Sequence, residues 1–426
     1  MDAAGVTGPG GRPGVALLVA VGRDGKGAKT LLFLDPASRG VTRWASGLHE
    51  EVNAVRAFDV AGDGVAAPLA GMPGLLFTPA GGGAARRFFE QQHLDLRSVT
   101  GATAGRPWIA TARAGLLELL GRGPEGGLAR IASFPLPLEA QRPRWGLRIA
   151  SPPVTLLPGD PPLFAVGPKE EGRRLQTLLI PAGGEPAVES WSLLPAGERL
   201  MDDRRYLRFD GVPALAVASF EKVGLLAKKR FRLFLVQQDR SRRGGGPVLT
   251  VDTDCPLWLP LDAMSGDADG DGRKDLILAH PGGLRGKEML LAVHKGLGEG
   301  RFDPKPRRWK VNAEPTDWLY GPDLSGDGVP DFLLLTGDRL QVYPGDPKGS
   351  RPLAGKPSRS IPIPGAPKRD DDDEDPDVGD DGPARERFLQ AVAMPGGGTA
   401  ILVRGATKDG KTALTVLSLA SPKPPA

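Results

Sequence analysis

Residues 258–280 read WLPLDAMSGDADGDGRKDLILAH, and residues 318–335 read WLYGPDLSGDGVPDFLLL. Each stretch passes from a short strand-like segment through a Gly/Asp-rich loop into a run of apolar residues. The runs at 276–279 and 332–335 do not alternate apolar with polar, and a strand apolar on both sides is one buried on both faces. Such a strand belongs at the centre of a sheet stacked between two others. Further strand-like segments follow: EMLLAVH (288–294), GLGEGRF (296–302) and RRWKV (307–311) after the first stretch, and RLQVYPG (339–345) after the second.

Weaker copies of the loop and apolar strand recur along the chain. They are GPGGRPGVALLVAV (8–21), VAGDGVAAPLAG (60–71), TAGRPWIATA (103–112), PGDPPLFAVG (158–167), FDGVPALAVAS (209–219) and PGGGTAILVRG (395–405). With the two clear ones this makes eight loop-equivalents, roughly 40 to 70 residues apart, a spacing that suits four-stranded propeller blades with variable outer loops. Glycine (60) and proline (43) make up about a quarter of the 426 residues. They punctuate short apolar blocks, as expected for many strands joined by tight turns, and no stretch has a sustained helical period. The expected fold is all-β: one β-propeller over residues 1–426, of seven or eight four-stranded blades. Eight loop-equivalents favour eight. The first repeat lacks an evident opening strand and the last a closing one, so the termini sharing one blade would leave seven.

The two Asp-rich loops carry the chemistry. Calcium takes about six to eight hard oxygen ligands in flexible geometry, and alternate side chains of a tightly curled loop converge on one point. In the first loop Asp267, Asp269 and Asp271 stand first, third and fifth, with Gly272 sixth, where the chain turns sharply. The backbone carbonyl of Arg273 is seventh and Asp275 ninth. In the second loop the same places hold Asp323, Ser325, Asp327, Gly328, Val329 (carbonyl) and Asp331. Asp and Gly also form metal-free turns, but four carboxylates within nine residues repel one another unless a cation sits among them. Ca2+ is therefore expected at both, and more tightly at the first, which has one more carboxylate. The loop at 59–67 keeps only Asp59 and Asp63, with Ala61 and Ala67 where ligands would be.

DADGDGRKDL, DLSGDGVPDF and GLGEGRF resemble the FG-GAP/VCBS repeat family, related to the integrin alpha-subunit propeller. The full motif is present in two units, about a quarter of the chain. The resemblance implies a propeller of about seven or eight blades, usually outside the cytoplasm, with calcium in its blade loops.

Other classes find little support. There is no G-x-S-x-G elbow, no phosphate-cradling loop before a helix and no HExxH. One cysteine, Cys255, excludes an internal disulfide framework, and His49, His93, His280 and His294 have no ligand spacing. No apolar run is long enough to span a membrane. Residues 370–381 (DDDDEDPDVGDD) hold nine acidic groups within an excursion at 368–385 that reads as a flexible insertion. A Pro-rich tail occupies 419–426. Net charge is +4 overall and +13 without the acidic groups, yet the basic residues are scattered, so no nucleic-acid partner is expected. Their densest cluster, Lys228, Lys229, Arg230, Arg232, Arg240, Arg242 and Arg243, reads as a hairpin with a solvated tip.

The function expected is non-enzymatic: a calcium-binding, monomeric binding or adhesion scaffold for a protein or glycan ligand. The alternatives are a lectin, using some of the tryptophans Trp44, Trp108, Trp145, Trp191, Trp258, Trp309 and Trp318, and a polysaccharide lyase. A lyase would show as a cleft gathering Lys, Arg, His or Tyr. Extracytoplasmic location is expected because weak calcium sites fill only where calcium is plentiful. Residues 1–21 show no signal-peptide pattern, and the missing opening strand suggests that the chain starts late.

Overall fold

A strand apolar on both sides sends alternate residues to opposite faces of its sheet and needs both covered. In the computed structural model the strand Asp275–Gly282 is buried along its whole length. Leu276 and Leu278 pack with Phe209, Phe231 and Leu261 of the sheet before it and its approach. Ile277 and Ala279 pack with Trp318 and Phe332 of the sheet after it. The strand Phe332–Thr336 repeats the arrangement one sheet on. Phe332 and Leu334 face back into that second core, and Leu333 and Leu335 face forward to Leu389, Ile401 and Val403.

The structure describes residues 2–20, 28–48, 205–221, 227–235, 246–283, 286–346, 348, 351–365, 388–395, 398–406 and 412–419, together with shorter segments, mostly strands, between 55 and 200. Among the described residues there is no α-helix, only the 3₁₀ turn Pro9–Gly11. The strands form eight successive antiparallel sheets, each a meander in chain order, and one small extra hairpin. These are the blades of a β-propeller. Blades 1 to 4 open with Asp2–Thr7, Val55–Phe58, Thr100–Thr103 and Val154–Leu157. Blade 5 opens with Arg199–Leu200 and Arg205–Phe209, and blades 6 to 8 with Asp262–Gly266, Asp317–Tyr320 and Leu389–Ala393. Each of the eight loop-equivalents read from the sequence falls between the opening strand and the second strand of one blade.

The opening strands of blades 1 and 2, 4 and 5, 5 and 6, and 7 and 8 lie against one another, and that of blade 8 lies against blade 1, closing the ring. At the closure Ala3, Val15 and Leu17 share a core with Val392, Ala400 and Leu402. Gly5 is required there, since a Cβ would lie 1.9 Å from the Ala393 carbonyl oxygen. Gln390 Nε2 donates to the Ala3 carbonyl at 3.3 Å.

Two expectations need correction. The first repeat does have an opening strand, Asp2–Thr7, paired in register with Pro13–Ala20; its Asp, Ala and Gly content hid it. The termini therefore do not share a blade: the N-terminal strand belongs to blade 1, and blade 8 has three described strands from the C-terminal end alone.

The basic cluster also divides. Lys228–Leu235 and Leu249–Pro256 pair as the expected hairpin, but Lys229 and Arg232 are buried. The Arg232 guanidinium grips buried Glu198 with both terminal nitrogens. Burial pushes the Glu198 carboxyl up, but hydrogen bonds from Arg232, Ser219 and Arg230 outweigh it and hold it at about 2. Arg240, Arg242 and Arg243 lie outside the described residues.

Two-faced burial sets the expected cost of damage. Leu334→Ala, at a fully buried position between blades 6 and 7, should lower unfolding free energy by about 2–5 kcal/mol. Val41→Ala, at a position 60% exposed on an outer strand, should change it by less than about 0.5 kcal/mol. Denaturant melts of the two variants check the contrast.

Candidate metal centres

In each Asp-rich loop the first carboxylate serves as a hub for the backbone that curls around it. Asp267 accepts from the amides of Asp271 (3.1 Å) and Gly272 (2.9 Å). Asp323 accepts from Asp327 (3.2 Å) and Gly328 (2.8 Å). The fifth-place carboxylate takes the seventh-place amide in both loops, Arg273 to Asp271 and Val329 to Asp327, each at 2.9 Å. The ninth takes the second, Ala268 to Asp275 at 2.9 Å and Leu324 to Asp331 at 2.6 Å. The sharp turn expected at the sixth place is made by Gly272 and Gly328, both at φ +86°, a left-handed conformation that favours glycine. Two loops with different residues at four places thus share one hydrogen-bond frame.

The frame gathers carboxylate oxygens. Asp267, Asp269 and Asp275 each bring one to within 4.8 Å of the others, and so do Asp323, Asp327 and Asp331. Two oxygens on opposite sides of an ion, each about 2.4 Å from it, stand up to about 4.8 Å apart, so both sets match the span of a hard divalent cation. Ser325 joins the second set, its Oγ 3.2 Å from Asp323 and 3.1 Å from Asp331. Arg273 and Val329 hold the seventh places. The loop at 59–67 and the acidic stretch 370–381 lie outside the described residues.

Asp271 stands apart from the first set, and both it and Asp269 pair with a residue that the loop motif does not contain. Lys295, on the far side of the blade's second hairpin, sets its ammonium 2.5 Å from Asp269 and 2.9 Å from Asp271. Hydrogen bonds from Lys295 lower the Asp271 carboxyl and raise the ammonium. The adjoining GLGEGRF segment forms the hairpin of Gly296–Gly298 and Arg301–Phe302. The Gly296 amide donates to Asp275 at 2.7 Å, and a Cβ at Gly296 would lie 2.3 Å from the Lys274 carbonyl oxygen. From blade 5, Asp210 accepts the Lys274 amide at 3.0 Å. The first loop is therefore held by three chain segments.

The innermost carboxylates are also the most perturbed. Burial pushes Asp275 up to about 6, and repulsion from Asp269 and Asp271 acts the same way, against hydrogen bonds from Gly296 and Ala268 that favour its charged form. Burial raises Asp331 too. Between the loops lies Tyr320, the last residue of blade 7's opening strand. It is 8% exposed, and its hydroxyl has no hydrogen-bond partner.

Elsewhere, a cleft of about 720 Å³ along blade 6 is lined by Asp254, His280, Arg308, Lys310 and Arg351 among others. His280 bonds through Nδ1 to the Pro281 carbonyl at 2.7 Å, and burial lowers its pKa. Sequence reading, which sought adjacent motifs, could not bring these groups together. Trp309 and Trp318 pack between blades, Trp44 stacks on Phe33 and Trp258 is exposed; the side chains of Trp108, Trp145 and Trp191 lie outside the described set.

No family model matches the chain. It is 32% identical over 142 residues to phosphatidylinositol-glycan-specific phospholipase D of Mus musculus, and the match takes in 30% of this chain and 16% of that enzyme's length. Among solved structures it is similar to dihydro-heme d1 dehydrogenase NirN in complex with DHE, at 14% identity and a TM-score of 0.49, covering 84% of this chain and 66% of that one. It is also similar to a Lactobacillus plantarum protein at 12% identity and a TM-score of 0.40, covering 82% and 96%. A third is the periplasmic gluconolactonase of Pseudomonas aeruginosa, at 15% identity and a TM-score of 0.34, covering 82% and 96%. Such identities reach the fold alone. The expectation of a non-enzymatic adhesion scaffold is corrected on the chain's own geometry: it rested on the lack of catalytic motifs along the sequence, and the cleft gathers Asp254, His280, Arg308 and Lys310, which no motif announces. The fold is a β-propeller, and two of its described blade loops are rich in carboxylates.

Two outcomes follow from this geometry. Lys295→Met removes the ammonium that competes with an incoming cation, so calcium should bind the first loop about tenfold more tightly, with a smaller gain at high salt. Unchanged affinity in a calcium titration would mean that the ammonium swings clear at no cost. The second concerns pH. The folded pKa of Asp275 lies above its ordinary 3.8, so the cation-free native state holds an extra proton between about 4 and 6, and its stability falls as pH rises through that window. Cation binding requires the carboxylate, so affinity should weaken as pH drops below about 6, by roughly tenfold per unit for one displaced proton. Titrations at several pH values read the slope.

Proposed function

We propose that this chain is a calcium-binding β-propeller of the FG-GAP/VCBS kind, in which two ions brace blades 6 and 7. The observation that carries the reading is the shared frame: different side chains around the same hub-and-amide pattern present oxygen ligands at the same places. The donor set is oxygen alone, which suits calcium or magnesium over zinc or copper. Calcium is favoured because the loops offer three or four carboxylates and a seventh-place carbonyl, whereas magnesium keeps most of its water and takes one or two carboxylates. Asp267, Asp269, Asp271, Asp275 and the Arg273 carbonyl would hold one ion, and Asp323, Ser325, Asp327, Asp331 and the Val329 carbonyl the other.

In this role the ion neutralises carboxylates that the fold has already pressed together, and so ties each loop to the start of the buried strand that follows. Loops of this kind in extracellular modules bind with Kd of about 10⁻⁴ to 10⁻³ M. Occupancy at that strength supports a place of work outside the cytoplasm, where calcium is plentiful.

Calorimetry should give two calcium ions per chain, one lost in Asp271→Ala and the other in Asp327→Ala. A ligand that binds only the folded state stabilises it by about 2.7 kcal/mol at a hundredfold excess over Kd. Melting should accordingly move up with calcium and down with chelator. A chain that binds no calcium, or whose two variants bind like the wild type, would refute the proposal.

A further inference from the structure

Tyr320 closes the opening strand of blade 7, one blade on from the first Asp-rich loop. Its ring lies against Gly266, the residue immediately before Asp267. A Cβ at Gly266 would come within 2.5 Å of the ring's Cε1, so the missing side chain is what allows the ring to cover the base of the loop. The residue is more than nine-tenths buried, and its hydroxyl finds no hydrogen-bond partner.

That is an unfavourable state for a phenol. A buried polar group left unpaired costs about 1–3 kcal/mol, and a tyrosine hydroxyl inside a protein ordinarily has a partner. Phenylalanine would pack there without the penalty, as Phe332 does in the same core. The hydroxyl is also in an unusual electrostatic position. Burial raises its pKa most, and the carboxylates that add to the rise are Asp275 and Asp267 of the first loop, followed by Asp331 of its own. It therefore faces negative charge from blade 6 before blade 7, and neither loop supplies it with an acceptor in hydrogen-bonding position.

We propose that the Tyr320 hydroxyl belongs to the first loop's cation site, contributing its oxygen to the ion directly or through one ion-bound water, so that this ion clamps blade 6 to blade 7. The inference rests on the calcium reading above and deepens it. Every carboxylate of the first set comes from blade 6, and among the described residues Tyr320 is the one that would add an oxygen from the next blade. An ion coordinated within one loop stiffens that loop. An ion that also holds Tyr320 resists the separation of two blades, along the interface filled by Ile277, Trp309, Trp318 and Phe332.

The test uses the full chain in an Asp327→Ala background, which leaves the first loop as the only cation site under study. Calcium calorimetry on Asp327→Ala and on Asp327→Ala/Tyr320→Phe should show affinity about tenfold weaker in the second, the size expected for one hydrogen bond to a charged group. Melting separates this from a packing defect. Without calcium, Tyr320→Phe should melt at or above the wild-type temperature, because it removes an unpaired hydroxyl, and with calcium its upward shift should be smaller. Loss of stability both with and without calcium, or affinity within twofold of the parent, overturns the proposal. As a check that needs no variant, calcium should perturb tyrosine absorption in the wild type, which has three tyrosines; no perturbation counts against it. If Asp327→Ala and the wild type both bind no calcium, the calcium reading falls first and this inference with it. If both bind and only the tyrosine substitution is silent, the inference alone falls.

Discussion

Blades 6 and 7 depend on their neighbours, because the second strand of each has two apolar faces and one sheet can cover only one of them. Leu333 and Leu335 need blade 8 as much as Phe332 and Leu334 need blade 6. The apolar core is accordingly a series of clusters between sheets, and the chain must close on itself, since an open end would leave one face of one strand bare. Blade 8 meeting blade 1 through Ala3, Val15, Val392 and Leu402 satisfies that demand by packing. Polar ties then fix the register between blades. Asp317 is fully buried and accepts amides from its own blade at Trp318 (2.8 Å) and from blade 8 at Phe388 (2.7 Å) and Leu389 (2.8 Å).

The Asp-rich loops follow the same logic at the ends of the buried strands. In blades 6 and 7 the buried strand is entered through a carboxylate, and Asp275 and Asp331 each stand at that boundary with almost no exposure. A carboxylate so placed is stable only if amides, a cation or a proton answer its charge. The amides of Ala268 and Gly296 answer Asp275 in part, and burial still pushes its carboxyl up to about 6.

The architecture was legible because it repeats. All eight loop-equivalents lie where a blade's opening strand meets its second strand, and even weak copies such as PGDPPLFAVG could be placed once the period was known. Asp2–Thr7 was missed because DAAGVT opens with four poor strand formers and has no aromatic residue, and its strand is made by pairing and by the close approach of Gly5 to Ala393. Arg232 was misread for a related reason. A charged residue among Lys and Arg looks solvated in one dimension, and its counter-charge, Glu198, lies 34 positions away. At the candidate metal centres the same division holds. The loop carboxylates are contiguous and were readable, whereas Lys295, Asp210 and Tyr320 come from another hairpin or another blade.

Charge balance between the two loops shows why that division matters. Counting side chains within the motif, the first loop has four carboxylates and the second has three with a serine, so ligand charge would rank the first as tighter. Lys295 removes one unit of negative charge from the first loop without belonging to its motif. The second loop has no ion pair of its own among the described residues, and its serine bridges Asp323 and Asp331 as a neutral group. With Arg273 and Lys274 also basic and in the same loop, the first centre has no excess of negative charge over the second. The two centres differ in what the ion must displace, an ammonium at the first and a hydroxyl hydrogen bond at the second. Rank order is then set by neighbours that the fold brings in, with Lys295 opposing the ion at the first centre and the proposed Tyr320 contact favouring it.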